Sequence, residues 1–353
     1  MKFRYLFENR ALAEMLVKNW DYDPASLDLF QYFRISANAI YPFKVDGQVC
    51  FLRCCPAEEK SGESIWAELA FIEYLRGNGY PALQPLPAKS GIALVQQQTP
   101  WGEQYASAFK RVTGQSIEDA GYADDILFAY GTALGHLHAL SRDYHAPKAR
   151  RWSHRGVFDW IEQTLTGLGD EPQALAELCL LREYFSRLPI TPENYGLIHY
   201  DFEPDNVYYE RETGICHVID FDDAMYHWYL MDVVKTLVSL KQEIAAGEYA
   251  GKQATFLAGY GSQVALDDGL WSAAPLFIRF ANLYGYTRNA RAMQERLVAW
   301  RGLELAIDNP AGGGRGGDRH EAHGLPVRGN VRVDRQHGAV ARAENARVGC
   351  RRF

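Results

Sequence analysis

Two acidic motifs, set close together, limit what this chain can fold into more than any other feature. The first is Leu197-Ile198-His199-Tyr200-Asp201-Phe202-Glu203-Pro204-Asp205-Asn206-Val207, and the second is Val218-Ile219-Asp220-Phe221-Asp222-Asp223. Leu197 and Ile198 read as the end of a buried strand, with Asp201 on the loop after it. Val207-Tyr208-Tyr209 leaves as a strand, Glu210-Arg211-Glu212-Thr213-Gly214 turns, and Ile215 to Ile219 returns. Such a hairpin delivers Asp220 beside Asn206. The pattern H-x-D-x-x-x-x-N, hairpin, hydrophobic-D-F-D thus gathers a carboxylate, an amide and a second carboxylate. Phosphoryl transfer from a nucleotide needs those groups: one carboxylate orients a hydroxyl, and an Asn and an Asp hold Mg²⁺ on the phosphates.

The flanking sequence divides by character. Asn9 to Trp20 has helical spacing, Tyr32 to Ile40 and Tyr41 to Val45 read as strands, and Asp46-Gly47 is a two-residue hairpin signal before Gln48 to Cys55. Ser61 opens a helix that stops near Gly77, before Gly79 and Pro81. Ile92 to Gln97 and Ala106 to Val112 read as further strands. From Asp119 onward the chain turns to long helices: Asp124 to Leu140, Phe158 to Leu168, Gln173 to Leu188, Asp232 to Ile244, Gln253 to Val264, Leu270 to Ala292 and Glu295 to Ile307. His136 and His138 fall on different faces of one of these helices and read as packing residues. Residues 310–353 lose apolar periodicity after Gly312-Gly313-Gly314-Arg315-Gly316-Gly317. Their composition fits a disordered tail or an out-of-frame product.

Composition narrows the function classes. With 353 residues, 47% hydrophobic and 23% charged, the chain is long enough for two lobes with real cores. A formal charge of −7 argues against a nucleic-acid partner. No uninterrupted apolar run has membrane-spanning length, so no membrane partner is expected, and the polar start does not read as a secretory signal. The six cysteines include no C-x-x-C pair, which suggests buried thiols in a reducing, cytoplasmic setting and no zinc site.

On the two motifs the chain resembles the aminoglycoside phosphotransferase and choline kinase group, which shares the protein-kinase-like fold. The resemblance implies an α+β, two-lobed architecture: an antiparallel N-terminal sheet with one helix over residues 1–110, a mostly helical lobe over 111–309, and the tail from 310. A nucleotide would lie in the cleft between the lobes. It implies Asp201 as catalytic base, Asn206 and Asp220 as Mg²⁺ ligands, and ATP as phosphoryl donor. The acceptor would be a hydroxyl on an aminoglycoside, amino alcohol, homoserine-like molecule or sugar.

The same resemblance asks for a strand cation on the α- and β-phosphates and a helix carboxylate to hold it. Arg53 is one candidate, with Glu68 as partner on the inward face of its helix; Lys44 is another. No G-x-G-x-x-G loop is present. The equivalent segment is Ile35-Ser36-Ala37-Asn38-Ala39-Ile40, where Ser36 and Asn38 could serve phosphate. The hinge falls at Phe109 to Gly114, with adenine contacts expected from the backbone near Arg111 and Val112. His199 would brace the loop, and Asp232 would cap the helix that starts there.

Glu203 stands where protein kinases often carry Lys, and Asp222 where they have the Gly of D-F-G. Together with Asp201, Asp205, Asp220 and Asp223 these suggest an acidic cleft suited to a cationic acceptor. Tyr226 and Trp228 could line the acceptor pocket or simply pack the loop. Two rival readings remain at the level of sequence. One is a protein Ser/Thr kinase, disfavoured by the missing D-F-G, A-P-E and activation segment. The other is a silent nucleotide-binding scaffold, suggested by Arg53 and the missing glycine loop.

Overall fold

The computed structural model describes residues 9–146, 151–266 and 268–307; the tail from 310 lies outside them. The elements run α1 (Arg10–Val17), β1 (Arg34–Ile35), β2 (Ala39–Val45), β3 (Gln48–Pro56), α2 (Gly62–Gly77), β4 (Pro85–Leu86), β5 (Val95–Thr99), β6 (Gly102–Lys110) and β7 (Gln115–Ser116). They continue with α3 (Ile117–Ala120), α4 (Asp124–Arg142), α5 (His154–Leu168), α6 (Pro172–Arg187), β8 (Tyr195–Ile198), β9 (Val207–Glu210), β10 (Ile215–Val218) and β11 (Met225–Trp228). Helices α7 (Leu230–Glu243), α8 (Ala246–Gly261), α9 (Asp268–Trp271) and α10 (Ala274–Ile307) follow. This is the α+β arrangement expected from the sequence, sheet first and helices after.

The N-terminal sheet has the order β1-β2-β3-β6-β4, with β5 also paired to β6. Its hairpin turns at Asp46 and Gly47, both with positive φ (48° and 78°), as a type I′ turn requires. Helix α2 is capped by the Ser61 hydroxyl, which accepts from Ser64 N–H at 3.2 Å. Ile65, Glu68, Leu69, Ile72 and Leu75 of α2 are buried. The contacts group residues up to Leu305 as one compact unit, so the sheet and the helices do not hang on a free linker. No helix among the described residues is long and apolar enough to cross a membrane.

Several expectations give way. The strand expected over Tyr32 to Ile40 is broken: a 3-10 turn covers Pro24–Tyr32, and the chain reverses between β1 and β2. Ser36 N–H donates to Asn38 O at 2.9 Å and closes that reversal. The last two expected helices are one, α10. Cys50, Cys54, Cys55 and Cys216 are buried free thiols, but Cys179 is exposed, because α6 buries Leu178, Leu181 and Phe185 and turns Cys179 outward.

Helix α4 is the spine of the helical lobe. Ile126, Leu127, Tyr130, Leu134, Leu137 and His138 form its buried stripe at helical spacing. It meets α8 at backbone distance through glycine. A Cβ on Gly131 would stand 2.0 Å from the Phe256 carbonyl oxygen, and one on Gly259 2.1 Å from that of Phe128. The obstructing atoms are main chain and have nowhere to move. Gly131→Ala is therefore expected to destabilise the protein by about 2 kcal/mol, roughly 5 °C in Tm. An unchanged melting curve would show that the two helices separate at no cost.

Candidate active site

The site is assembled by strand pairing. β9 and β10 pair antiparallel from Val207↔Val218 to Glu210↔Ile215, and Ile219 N–H donates to Asn206 O at 3.0 Å. Asn206 and Asp220 are thereby brought side by side, as the motif spacing implied. Asn206 Nδ2 donates to both Asp201 O and Asp201 Oδ2, each at 3.0 Å. With its donor end engaged, the amide presents oxygen as its other polar end.

The loop carrying Asp201 is pinned from beneath. His199 is fully buried; its Nε2 lies 2.9 Å from Ile219 O, and its Nδ1 accepts from Asp201 N–H at 3.3 Å. Burial lowers its pKa, so it braces the loop as a neutral ring. Asp232 does not cap α7, whose N-cap is Tyr229 without a side-chain cap bond. Instead its carboxylate accepts from His199 N–H at 2.9 Å and Tyr200 N–H at 2.7 Å, and lies 3.2 Å from His138 Nε2. From α4, the Tyr130 hydroxyl donates to Phe202 O at 2.6 Å, and the Ser141 hydroxyl to Leu197 O. His136, on another face, meets only the edge of Tyr80. Two non-glycine residues here take left-handed backbone, Tyr200 (φ 67°) and Asp220 (φ 62°). Such conformations persist only where the surroundings impose them.

Arg53 and Glu68 form a bidentate pair, at 2.6 Å and 3.0 Å. Arg53 also reaches the Ser107 hydroxyl at 3.3 Å and lies over the Phe109 ring at 4.8 Å. Burial alone would lower its pKa; the charge and hydrogen bonds of Glu68 more than reverse this. Lys44 pairs with Val49 near the far end of the hairpin, so Arg53 is the strand cation at the cleft. At the hinge, Arg111 is exposed and its N–H donates to Val49 O at 3.1 Å. The Arg111 amide is therefore engaged within the sheet, while its carbonyl and the Val112 backbone stay candidates for a nucleobase.

Four of the six cleft acids have a cation at ion-pair distance, Asp201 and Glu203 sharing one. Asp222 is held by Lys60, with Asn38 Nδ2 at 3.4 Å, and Lys60 Nζ also donates to Asn38 Oδ1 at 2.8 Å. Burial would raise the Asp222 pKa, but Lys60 and then Arg53 bring it well below the usual range. Asp222, Lys60 and Asn38 are thus engaged with one another across the cleft. Arg151 fastens the same loop: it donates to the Asp222 and Ala224 carbonyls and to Ser64 O and Oγ at the start of α2. Asp223 pairs with Arg288 at 2.7 Å. Lys235 lies 3.4 Å from Asp201 and 3.7 Å from Glu203.

Asp205 and Asp220 are left without an ion-pair partner among the described residues. Burial and then neighbouring carboxylates raise Asp205 to about 6 and Asp220 to about 7. Asp220 still opens a face to solvent. Ser36 is exposed at the β1–β2 turn. Trp228 is 0% exposed, packs on His154, Phe185, Tyr195 and Phe277, and donates to Pro189 O at 2.8 Å. It is a core residue, which removes it from the acceptor pocket. Tyr226 stays half-buried on β11.

Lys60, Arg151, Lys235 and Arg288 escaped the sequence reading. Each lies outside the two motifs, and nothing in its spacing marks the motif group it meets. Among the described residues no three His, Cys, Asp or Glu side chains gather to hold a metal alone. The Asn206–Asp220 pair nonetheless suits Mg²⁺: it offers hard oxygen ligands, and phosphate oxygens and water would complete an octahedral shell. The raised carboxyl of Asp220 is one that a divalent cation would relieve.

The family model described as the phosphotransferase enzyme family matches residues 36–265. The amicoumacin kinase of Bacillus subtilis (strain 168) is 22% identical over 276 residues, 74% of this chain and 80% of that protein. The homoserine kinase of Caulobacter vibrioides is 27% identical over 179 residues, 48% of this chain and 52% of that protein. Among solved structures, an amicoumacin kinase in complex with AMP-PNP and Ca²⁺ superposes with a TM-score of 0.69 at 20% identity, covering 84% of this chain and 92% of that one. A microcompartment-associated aminopropanol kinase follows at TM-score 0.57 and 19% identity, covering 84% and 99%. The fold is that of the kinase-like phosphotransferases, and the chain belongs to the phosphotransferase enzyme family.

Proposed function

We propose that the protein transfers the γ-phosphoryl group of ATP to a hydroxyl of a small molecule, with Asp201 as the base. The convergence of Asp201, Asn206 and Asp220 carries this reading. Asp201 accepts the acceptor's hydroxyl proton while the oxygen forms its bond to phosphorus. The bond from phosphorus to the β,γ-bridging oxygen breaks, and its electron pair leaves with ADP. Asn206 and Asp220 would hold Mg²⁺, which when bound neutralises charge on the β- and γ-phosphates. Arg53, fixed by Glu68, contacts the α- and β-phosphates. Ser36 and the Val112 backbone serve the phosphates and adenine. The nucleotide lobe ends near residue 110, and the acceptor lobe follows over 111–309.

For the acceptor we favour an amine-bearing alcohol. The relatives named for homoserine and aminopropanol act on molecules of that kind; Glu203, 3.7 Å from the lysine beside Asp201, stands near enough to contribute a contact, and Tyr226 is a further candidate. The pairing of most cleft acids makes the preference one of specific contacts rather than of overall field. Between Asp220 and α7 lie only a 3-10 turn and β11, too little chain for a peptide-docking segment.

Asp201→Asn is expected to lower turnover about 10³-fold while Mg²⁺·AMP-PNP binding stays within about twofold. Turnover is read as ATP consumption against a pooled library of aminoglycosides, amino alcohols and sugars. A variant within tenfold of the parent would remove Asp201 from the chemistry.

The metal reading predicts a pH dependence. In the metal-free protein Asp220 takes up a proton as the pH falls through about 7, and Mg²⁺ has to displace it. The apparent Mg²⁺ affinity should therefore weaken as the pH drops from about 8 to about 6 and level off above 8. A flat Mg²⁺ titration across that range would contradict the assignment.

A further inference from the structure

Lys235 is the charged group nearest Asp201 that the proposed reaction leaves without a task. It lies on α7 three residues after Asp232, so the two side chains share one face of the helix. Asp232 holds the His199 and Tyr200 amides, and one turn later Lys235 rises beside the carboxylate those amides support. Its ammonium is 3.4 Å from Asp201 Oδ1, 3.7 Å from Glu203 Oε1, and 4.1 Å from the centroid of the Tyr200 ring. The side chain is 17% exposed, so it is neither free in solvent nor sealed in the core.

The seat under this ammonium is costly to build. Tyr200 is a bulky residue in left-handed backbone (φ 67°), a strained conformation that only strong local bonding sustains. The two hydrogen bonds to Asp232 supply that bonding, and the result is a ring face turned to Lys235. A cation–π contact and two carboxylates surround the lysine, and of the two carboxylates only Asp201 lies within hydrogen-bond distance. Glu203 matters to the same argument. It occupies the position two after the base, where protein kinases often have a lysine, and here it points a carboxylate at a lysine from another helix.

Charge decides what this arrangement does. Asp201 and Glu203 together would repel a phosphoryl group moving toward the acceptor oxygen. In the transition state that group carries its charge on equatorial oxygens, near the base that receives the proton. A cation fixed beside the base meets this charge where it develops, in a site already organised for it.

We propose that Lys235 is a catalytic cation of the transfer step, contacting the phosphoryl group as it passes from the nucleotide to the acceptor hydroxyl. Lys235 keeps all its protons; the acceptor proton goes to Asp201 and the electron pair of the broken P–O bond leaves on the nucleoside diphosphate. The inference rests on the phosphotransfer reading of Asp201.

The test compares Lys235→Met, Lys235→Arg and the double variant Glu203→Lys/Lys235→Met in the full chain. Two probes need no identified acceptor: the slow hydrolysis of ATP, in which water takes the phosphoryl group, and binding of MgADP with aluminium fluoride, which mimics the transferring group. Lys235→Met should lower the hydrolysis rate by about 10²-fold and weaken the aluminium fluoride complex about as much, with Mg²⁺·AMP-PNP affinity within about threefold. Lys235→Arg should keep part of the rate, and the double variant, which returns the cation from position 203, should recover at least about tenfold of the loss. Equal weakening of both nucleotide complexes, or a rate within about threefold of the parent, would overturn the proposal. So would a double variant no faster than Lys235→Met. If Asp201→Asn is inactive while Lys235→Met is active, this inference alone fails; if Asp201→Asn stays active, the reading beneath it fails.

Discussion

The buried carboxylate of Asp232 is the contact on which the site depends. A carboxylate with 0% exposure is tolerable only when its oxygens are fully engaged. Here two main-chain amides of the Asp201 loop and an imidazole on α4 engage them. One side chain therefore ties three separate stretches together: the loop, α7 and α4. It sustains the left-handed backbone at Tyr200, and so determines where Asp201 begins. The glycine crossing of α4 and α8 works at the next level down. It sets the position of the helix whose Tyr130 bonds the loop at Phe202, whose Ser141 bonds the strand before it at Leu197, and whose His138 meets Asp232.

Charge is arranged in the cleft by pairing across elements that are distant in sequence. Lys60 comes from the β3–α2 connection, Arg151 from the segment before α5, Lys235 from α7 and Arg288 from α10. Lys60, Lys235 and Arg288 each meet a carboxylate of the two motifs, and Arg151 donates to the Asp222 carbonyl. The acids left unpaired, Asp205 and Asp220, are those whose carboxyls rise toward neutrality. Asp220 is also the one beside Asn206. A site built this way keeps its structural charges compensated and leaves an uncompensated carboxylate where a divalent cation would be useful. The Arg53–Glu68 pair follows the same rule on the other side of the cleft, where a fork-shaped cation and a carboxylate fix each other in a buried position.

The errors of the sequence reading share a cause. Strand propensity runs unbroken through Tyr32 to Ile40, but the reversal at Ser36 to Asn38 is stabilised partly by Lys60 and Asp222, which no local window contains. Trp228 looked like pocket lining because aromatic residues beside acidic loops serve equally as recognition surface or as core. The aromatic cluster with Phe185 and Phe277, over forty residues away on either side, resolved it as core. Asp222 looked like part of a negative field because its partners lie in other elements. Asp232 looked like a cap because it falls near a helix start, whereas the amides it accepts from lie three strands earlier, on the loop after β8.

The sequence alone pointed to phosphotransfer, grouped Asp201, Asn206 and Asp220 as the proposed base and metal pair, and offered Arg53, with Glu68, beside Lys44 as the strand cation. Those assignments depend on spacing within a hairpin or along a helix face, and such spacing is fixed by backbone geometry over a few residues. The order of sheet and helices followed from the same local periodicities. Tertiary structure decided which cation meets which carboxylate, which aromatic residues are buried, and that Lys235 stands beside Asp201. Those are contacts between residues many positions apart, and Coulomb attraction and burial depend on distance in space, which the chain sets only once it has folded.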